Sequence, residues 1–189
     1  EAKGGTVVDD ESYASGDVDF KTQLTTIMGK EPEVVFCPNY YEDVSKILKQ
    51  ARDIGMTCPF LGGDGWDGLE GYATADQLKD AYFCANYAKG SNPDFESAYK
   101  AEYGEEYPNG FAPLGYDAAM TVVYGLQSAE DAGLEAGTDE YKQAVIDAIA
   151  SGTIEGITGT FTFDEHHDPV KQTAILCFEE DKPVLKEMF

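Results

Sequence analysis

The 189-residue chain carries 36 Asp and Glu residues against 13 Lys and Arg residues, which gives a formal net charge of −23. This charge disfavours nucleic acids and anionic membranes as partners, and no apolar run approaches the roughly 18–20 residues that span a bilayer. Hydrophobic residues make up 42% of the chain and aromatic residues 12%, so we expect a packed core. The negative charge predicts that the chain has no DNA or RNA partner.

In the first half of the chain, short apolar runs alternate with amphipathic helical patterns, which is typical of a parallel sheet with helical crossovers. The pattern changes after Tyr87, where only helical segments are predicted as far as Ala150. Strands are predicted over 5–8, 33–37, 58–62, 81–85, 158–163, 173–178 and 184–186. Helices are predicted over 19–29, 41–54, 93–103, 115–132 and 138–150.

Two of the later helices have apolar stripes that need a surface to cover. One stripe comprises Ala118, Val122, Leu126 and Ala129, and the other comprises Tyr141, Val145 and Ile149.

The turns that follow the predicted strands 33–37 and 58–62 hold the candidate binding residues, because ligands of open α/β sheets bind beyond the carboxyl ends of the strands. A carboxylate at Asp64, on a glycine-supported loop, is suited to an ammonium group. Tyr40 has a phenol that can orient a ligand, and Trp66 can supply an apolar or cation–π wall. On residue chemistry alone, the alternative is that Asp64 caps the following turn and the aromatic rings only pack.

The loop from Gly63 to Gly68 also matches the G-x-G-x-x-G dinucleotide pattern. Two aspartates in this loop would face a pyrophosphate, and Ala85-Asn86 stands where the ribose-binding carboxylate is expected. A nucleotide-dependent enzyme is therefore a disfavoured alternative.

Other reactive residues are sparse. The sequence has four cysteines: Cys37, Cys58, Cys84 and Cys177. Their spacing is not that of metal ligands, and we predict free thiols, with one or two disulfides as the alternative. His166 and His167 occupy a polar turn, which leaves little machinery for acid–base catalysis. We expect no enzyme activity, no metal and no cofactor.

Several sequence blocks resemble the branched-chain amino-acid (Leu/Ile/Val-type) substrate-binding proteins of ABC transporters. The similarity runs in order along the chain from about Gly5 to Val184. The blocks are Tyr13-Ala-Ser-Gly-Asp-Val-Asp-Phe20, Pro38-Asn-Tyr-Tyr-Glu-Asp43, Lys49-Gln-Ala-Arg52, Gly62-Gly-Asp-Gly-Trp-Asp67, Leu114-Gly-Tyr-Asp-Ala118, and Gly156-Ile-Thr-Gly-Thr160 with Phe163-Asp-Glu165.

The resemblance implies roles for individual residues. Tyr40 matches the lobe-two tyrosine that contacts the bound amino acid, and Asp64 matches the acidic residue that receives its α-ammonium group. The family usually has glutamate there, so the shorter Asp64 shifts the carboxylate. Phe111 matches an aromatic residue of the side-chain pocket, and Trp66 and Tyr41 are adjacent candidates.

The resemblance also implies an α/β fold of the periplasmic-binding-protein type 1 class, with two lobes of parallel sheets that close around a ligand. Residues 1–87 and 171–189 correspond to lobe two, and 88–170 correspond to the C-terminal part of lobe one. Roughly the N-terminal half of such a protein is missing. We therefore expect a fragment, or a chain completed by a second chain or by self-association.

The implied function is extracytoplasmic binding of a small amino acid, in the periplasm or as a Gram-positive surface lipoprotein, for delivery to an ABC permease. The chain starts without an initiator Met, which is expected of a processed or trimmed product. A ligand-sensing receptor domain with the same fold is the second alternative.

Overall fold

The computed structural model describes residues 4–189, which form two compact units. One comprises the residues up to Ala85 together with Ile175–Glu187, and the other comprises Asn86–Ala174 together with Met188–Phe189. Among the described residues, no helix combines the length and apolar character that crossing a membrane requires.

The first unit is built on a five-stranded sheet with the strand order β1-β2-β3-β7-β8. Strands β1, β2 and β3 run parallel to one another, as the alternating pattern predicts. The strands are β1 (Val35–Phe36), β2 (Phe60–Gly62), β3 (Ala81–Ala85), β7 (Ala174–Glu179) and β8 (Lys182–Met188), and the helices are α1 (Lys21–Met28), α2 (Tyr41–Asp53) and α3 (Ala75–Leu78).

Helix α2 follows its amphipathic pattern closely. It buries Val44, Ile47, Leu48 and Ala51 on one face, as the spacing predicts. Glu42 and Asp43 lie in its first turn and Arg52 in its last, which complements the helix dipole. Helix α3 was not predicted, because it is a single turn held by a capping box between Thr74 and Gln77.

Two of the predicted strands need correction. Residues 5–8 join neither sheet, and Val7 and Val8 are exposed. The predicted strand over 33–37 reduces to the two residues of β1, and it is not buried on both faces, because Phe36 is 66% exposed while Cys37 is buried. The continuous apolar run therefore did not indicate a strand that is buried on both faces.

The second unit combines three helices with a small antiparallel sheet of order β4-β5-β6. Strands β4 and β6 were not predicted, because they have only three and two residues. The helices are α4 (Pro93–Tyr103), α5 (Phe111–Asp131) and α6 (Asp139–Ser151), and the strands are β4 (Ile154–Gly156), β5 (Gly159–Phe163) and β6 (Pro169–Val170).

Helices α5 and α6 pack at a glycine. A Cβ on Gly125 would lie 2.8 Å from Cγ1 of Ile149, so only glycine permits this approach. The predicted α5 stripe is mostly exposed: Ala129 is buried, whereas Val122 and Leu126 are 52% and 40% exposed. The face of α5 that packs within this unit is instead formed by Pro113, Asp117, Thr121, Gly125 and Ala129.

A buried carboxylate holds the β4–β5 hairpin. Asp117 is 3% exposed and accepts hydrogen bonds from the backbone amides of Ile157 at 2.7 Å and Thr158 at 2.9 Å, and from the Thr158 hydroxyl. Lys171 donates to the same hydroxyl, and burial lowers the pKa of Lys171. A Cβ on Gly156 would lie 2.4 Å from a carboxylate oxygen of Asp117, so the hairpin and the helix are fitted to each other.

Candidate functional site

The candidate site lies where β1 and β2 end in the first unit. These strands are parallel, with Val35 paired to Phe60 and Phe36 paired to Leu61. Their carboxyl ends therefore reach the same edge of the sheet, and the turn 38–40 lies beside the loop 63–68.

The Trp66 side chain connects the loop 63–68 to the end of β1. It is fully buried, and its indole Nε1–H donates to the carbonyl of Cys37 at 2.9 Å. A Cβ on Gly62 would lie 2.1 Å from Cε2 of the Trp66 ring, so the ring occupies the space that glycine leaves open. The ring therefore fixes the end of β2 against the end of β1.

Tyr40 lies across the backbone of the neighbouring loop. A Cβ on Gly65 would lie 3.2 Å from both Cδ1 of Tyr40 and the carbonyl oxygen of Asn39. Tyr40 is nevertheless 68% exposed, so most of the residue faces solvent. The Tyr40 ring thus contacts the loop at Gly65, the residue that follows Asp64.

Asp64 begins a short 3-10 turn, Asp64–Trp66, but its side chain does not cap that turn. The residue is exposed, and within residues 4–189 its carboxylate has no hydrogen-bond or ion-pair partner. The alternative that Asp64 serves as a cap is therefore wrong. An exposed, unpaired carboxylate can accept hydrogen bonds from a cationic group such as an ammonium.

The other candidate residues have different positions. Trp66 has no exposed face, so the predicted cation–π wall is not formed, and its role here is to support the turns. Tyr41 begins α2 and packs on Tyr72 with 4.9 Å between ring centroids, and the neighbouring Tyr72 hydroxyl raises the pKa of Tyr41. Phe111 begins α5 in the second unit and is 43% exposed.

A hydrogen-bond network holds the turn that carries Tyr40. The sequence did not predict a functional role for it. The Tyr13 hydroxyl donates to Asp43 at 3.0 Å and accepts from the Asn39 amide at 2.7 Å, and the Cys37 thiol donates to Asn39 at 3.2 Å. Burial and the Asp43 carboxylate raise the pKa of Tyr13 to about 12. Tyr13, Asn39 and Asp43 belong to the sequence blocks that carry the family resemblance, which was the signal available for finding them.

The loop 63–68 does not have the geometry of a dinucleotide site. It continues into two 3-10 turns, Asp64–Trp66 and Leu69–Gly71, and the next α-helix is the four-residue α3. A pyrophosphate site needs the N-terminus of an α-helix directly after the glycines. This geometry argues against the nucleotide alternative.

The cysteines and acidic residues do not form a metal site in the part of the chain that the structure describes. Across residues 4–189 no group of three or more His, Cys, Asp or Glu side chains is arranged to hold a metal ion. All four cysteines are free, as the sequence indicated. Burial raises the pKa of Cys37 to about 11, which makes it a poor nucleophile.

Comparison with known proteins shows the family and the fold of the chain. A family model described as periplasmic binding protein matches residues 1–182. The chain belongs to this family. The predicted α/β fold of periplasmic-binding-protein type 1 is thereby confirmed, and solved structures of such proteins superpose on nearly all of the chain.

Among relatives of this periplasmic binding protein, Leu/Ile/Val-binding protein homolog 3 of Brucella melitensis is 29% identical over 88% of the chain and 44% of its own length. Leu/Ile/Val-binding protein BraC3 of Rhizobium johnstonii is 27% identical over 98% of the chain and 50% of its own length. The chain thus spans about half the length of the curated relatives it matches.

A solved structure of the LivJ substrate-binding protein of Streptococcus pneumoniae, in complex with isoleucine, has a TM-score of 0.75 and 30% identity. The match covers 98% of this chain and 52% of that protein. A solute-binding protein of R. palustris in complex with benzoate has the same TM-score at 23% identity, and this similarity shows the fold alone.

Proposed function

We propose that the native protein containing this chain binds a small amino acid, branched-chain or similar, as the extracytoplasmic solute-binding component of an ABC transporter. The observation that carries the proposal is the exposed, unpaired carboxylate of Asp64 on the loop that the exposed Tyr40 contacts at Gly65. Relatives named for binding leucine, isoleucine and valine support this ligand class. The protein delivers its ligand to a membrane permease and performs no catalytic turnover.

In this proposal Asp64 accepts hydrogen bonds from the α-ammonium group, and Tyr40 orients the ligand through its hydroxyl. Phe111 and Tyr41 keep the roles that the family resemblance implies, as an aromatic residue for the ligand side chain and as an adjacent candidate. Trp66 is a supporting residue. The first unit corresponds to lobe two and the second unit to the C-terminal part of lobe one.

Calorimetric titration tests the proposal on the native polypeptide that contains these residues, with leucine, isoleucine, valine, alanine and a dicarboxylate as ligands. We expect saturable binding of an amino acid and none of the dicarboxylate. Asp64→Asn removes the charge that receives the ammonium group and should weaken binding about tenfold or more. The matched control is Asp76→Asn, another exposed carboxylate of the first unit. Equal affinity in the Asp64→Asn and Asp76→Asn variants would refute the ammonium role.

We also propose that the part of the relatives' length that this chain lacks covers its exposed apolar faces, either in the same polypeptide or as a second chain. Helix α5 exposes Tyr116, Val122 and Val123 by about half, and Phe36 is 66% exposed on the sheet of the first unit. A helix that is apolar on most sides is typical of a buried position.

The isolated chain should consequently bind a hydrophobic dye such as ANS or self-associate, and the native protein should do neither. Native mass spectrometry and dye fluorescence measure both properties. A monomeric species of 20.6 kDa that unfolds cooperatively and binds no dye would contradict this proposal.

A further inference from the structure

The turn that carries Tyr40 is held by a side chain from a distant, irregular segment. Residues 10–18 form no helix or strand, yet the hydroxyl of Tyr13 reaches both Asn39 and Asp43. We propose that Tyr13 is a positioning residue for ligand binding, which fixes the turn between β1 and α2 so that Tyr40 faces the ligand. This inference rests on the function proposed above.

Asn39 is the link between Tyr13 and Tyr40. Its side-chain oxygen accepts from the Cys37 thiol and its amide nitrogen donates to Tyr13, so both ends of the side chain are held. Its backbone carbonyl lies against Gly65. Tyr40 follows immediately, and among residues 4–189 no hydrogen bond is made by its own side chain. The position of the Tyr40 ring is therefore set by the backbone that Asn39 fixes.

Tyr13 is itself anchored. Its ring packs edge-to-face on Phe20 with 4.9 Å between centroids, and Phe20 is 2% exposed. The Phe20 amide donates to the side chain of Gln50 at 2.7 Å, and Gln50 donates to the carbonyl of Val18 at 2.9 Å. These hydrogen bonds hold the segment before α1 against α2. Tyr13 lies in this segment, so its hydroxyl has a fixed position from which it contacts the turn.

On the far side of Tyr13, the network ends at a charged pair. Asp43 accepts from Tyr13 through one oxygen and pairs with Lys46 at 3.1 Å through the other. The carboxylate fixes the direction in which the Tyr13 hydroxyl donates, which leaves a lone pair of that hydroxyl for the Asn39 amide. Asp43→Asn keeps an acceptor for Tyr13, whereas Asp43→Ala removes it.

Tyr13→Phe deletes only the hydroxyl and keeps the ring contact with Phe20. The Asn39 amide then loses its fixed acceptor and the turn gains freedom, so we expect leucine affinity to fall about fivefold. The matched control is Tyr141→Phe, which also removes a 3.0 Å hydroxyl–carboxylate hydrogen bond, to Glu130 in the second unit. The two variants should show similar shifts in melting temperature, but only Tyr13→Phe should lose affinity.

A double-mutant cycle separates positioning from general destabilisation. If Tyr13 acts through Tyr40, Tyr13→Phe should change leucine affinity by less than about twofold in a Tyr40→Ala background. Asp43→Ala should reproduce the affinity loss, and Asp43→Asn should restore most of it. An equal loss with and without Tyr40, or no loss in Tyr13→Phe, would overturn the inference.

A ligand-free readout distinguishes failure of this inference from failure of the proposed function. With 3-fluorotyrosine labelling, the ¹⁹F resonance of Tyr40 should shift and change width in Tyr13→Phe but not in Tyr141→Phe. An unchanged Tyr40 resonance would refute the positioning role even in a protein that binds no amino acid. If Tyr13→Phe shifts the Tyr40 resonance but the wild-type protein binds none of the tested amino acids, the positioning of Tyr40 is supported and only the proposed ligand is refuted.

Discussion

Substitution of Gly62 tests whether the Trp66 ring sets the geometry of the candidate site. An alanine Cβ at this position would lie 2.1 Å from Cε2 and 2.3 Å from Cδ2 of the ring. These distances are far below van der Waals contact, and the ring is fully buried and held by its hydrogen bond to Cys37. The ring or the strand end must therefore move.

Overpacking of this kind costs about 1–3 kcal/mol, and Gly→Ala returns about 0.4–1 kcal/mol through the lower entropy of the unfolded chain. Because the clash involves a rigid ring, we expect Gly62→Ala to cost about 2 kcal/mol net. In a chain of this size that corresponds to a fall in melting temperature of about 4–8 °C. Movement of the strand end also displaces Asp64, so amino-acid affinity should fall as well.

The neighbouring glycine is a matched control. Gly63 has a φ of −95°, and its Cβ would meet no atom within 4 Å. Gly63→Ala should therefore be neutral or stabilising by up to about 1 kcal/mol. Thermal unfolding followed by the fluorescence of Trp66, the chain's single tryptophan, measures both variants. If Gly62→Ala is as stable as Gly63→Ala, the account of the Trp66 contact is wrong.

Two further predictions concern the second unit and the thiols. Asp117→Ala should leave the half-buried amides of Ile157 and Thr158 without an acceptor and cost on the order of 3 kcal/mol, measured by thermal unfolding against the exposed control Asp147→Ala. Equal melting temperatures would contradict this role. Because burial raises the pKa of Cys37 to about 11, iodoacetamide at pH 8 should alkylate it far more slowly than the half-buried Cys177, with mass spectrometry as the readout. Alkylation of both thiols at the same rate would show that Cys37 is accessible and ionised in the folded protein.

The candidate site could be predicted from the sequence because strand ends and turn residues are local features. The bounds of α2 and α4, and the turns that carry Tyr40 and Asp64, follow from helical periodicity, caps and glycines. The role of Trp66 was not predictable in the same way. A 3-10 turn rotates its ring into the core, and local sequence does not reveal which side of a turn a large aromatic ring takes.

Contacts between distant segments account for most of what was missed. The hairpin of β4 and β5 depends on Asp117, about 40 residues earlier, and β4 is too short for its pattern to be recognised. Helical periodicity predicts one apolar stripe on α5. Because this helix is apolar on most sides, periodicity does not determine which stripe is buried. Helix α5 also begins at Phe111 rather than Gly115, because Pro113 is tolerated in the first turn.

A crystal structure of the native protein grown with leucine tests directly whether Asp64 receives the ligand's ammonium group. We expect the α-ammonium nitrogen to lie within hydrogen-bond distance of the Asp64 carboxylate, about 2.7–2.9 Å, with the Tyr40 ring against the ligand. A bound amino acid whose ammonium group is paired elsewhere, with Asp64 still facing solvent, would contradict this role of Asp64.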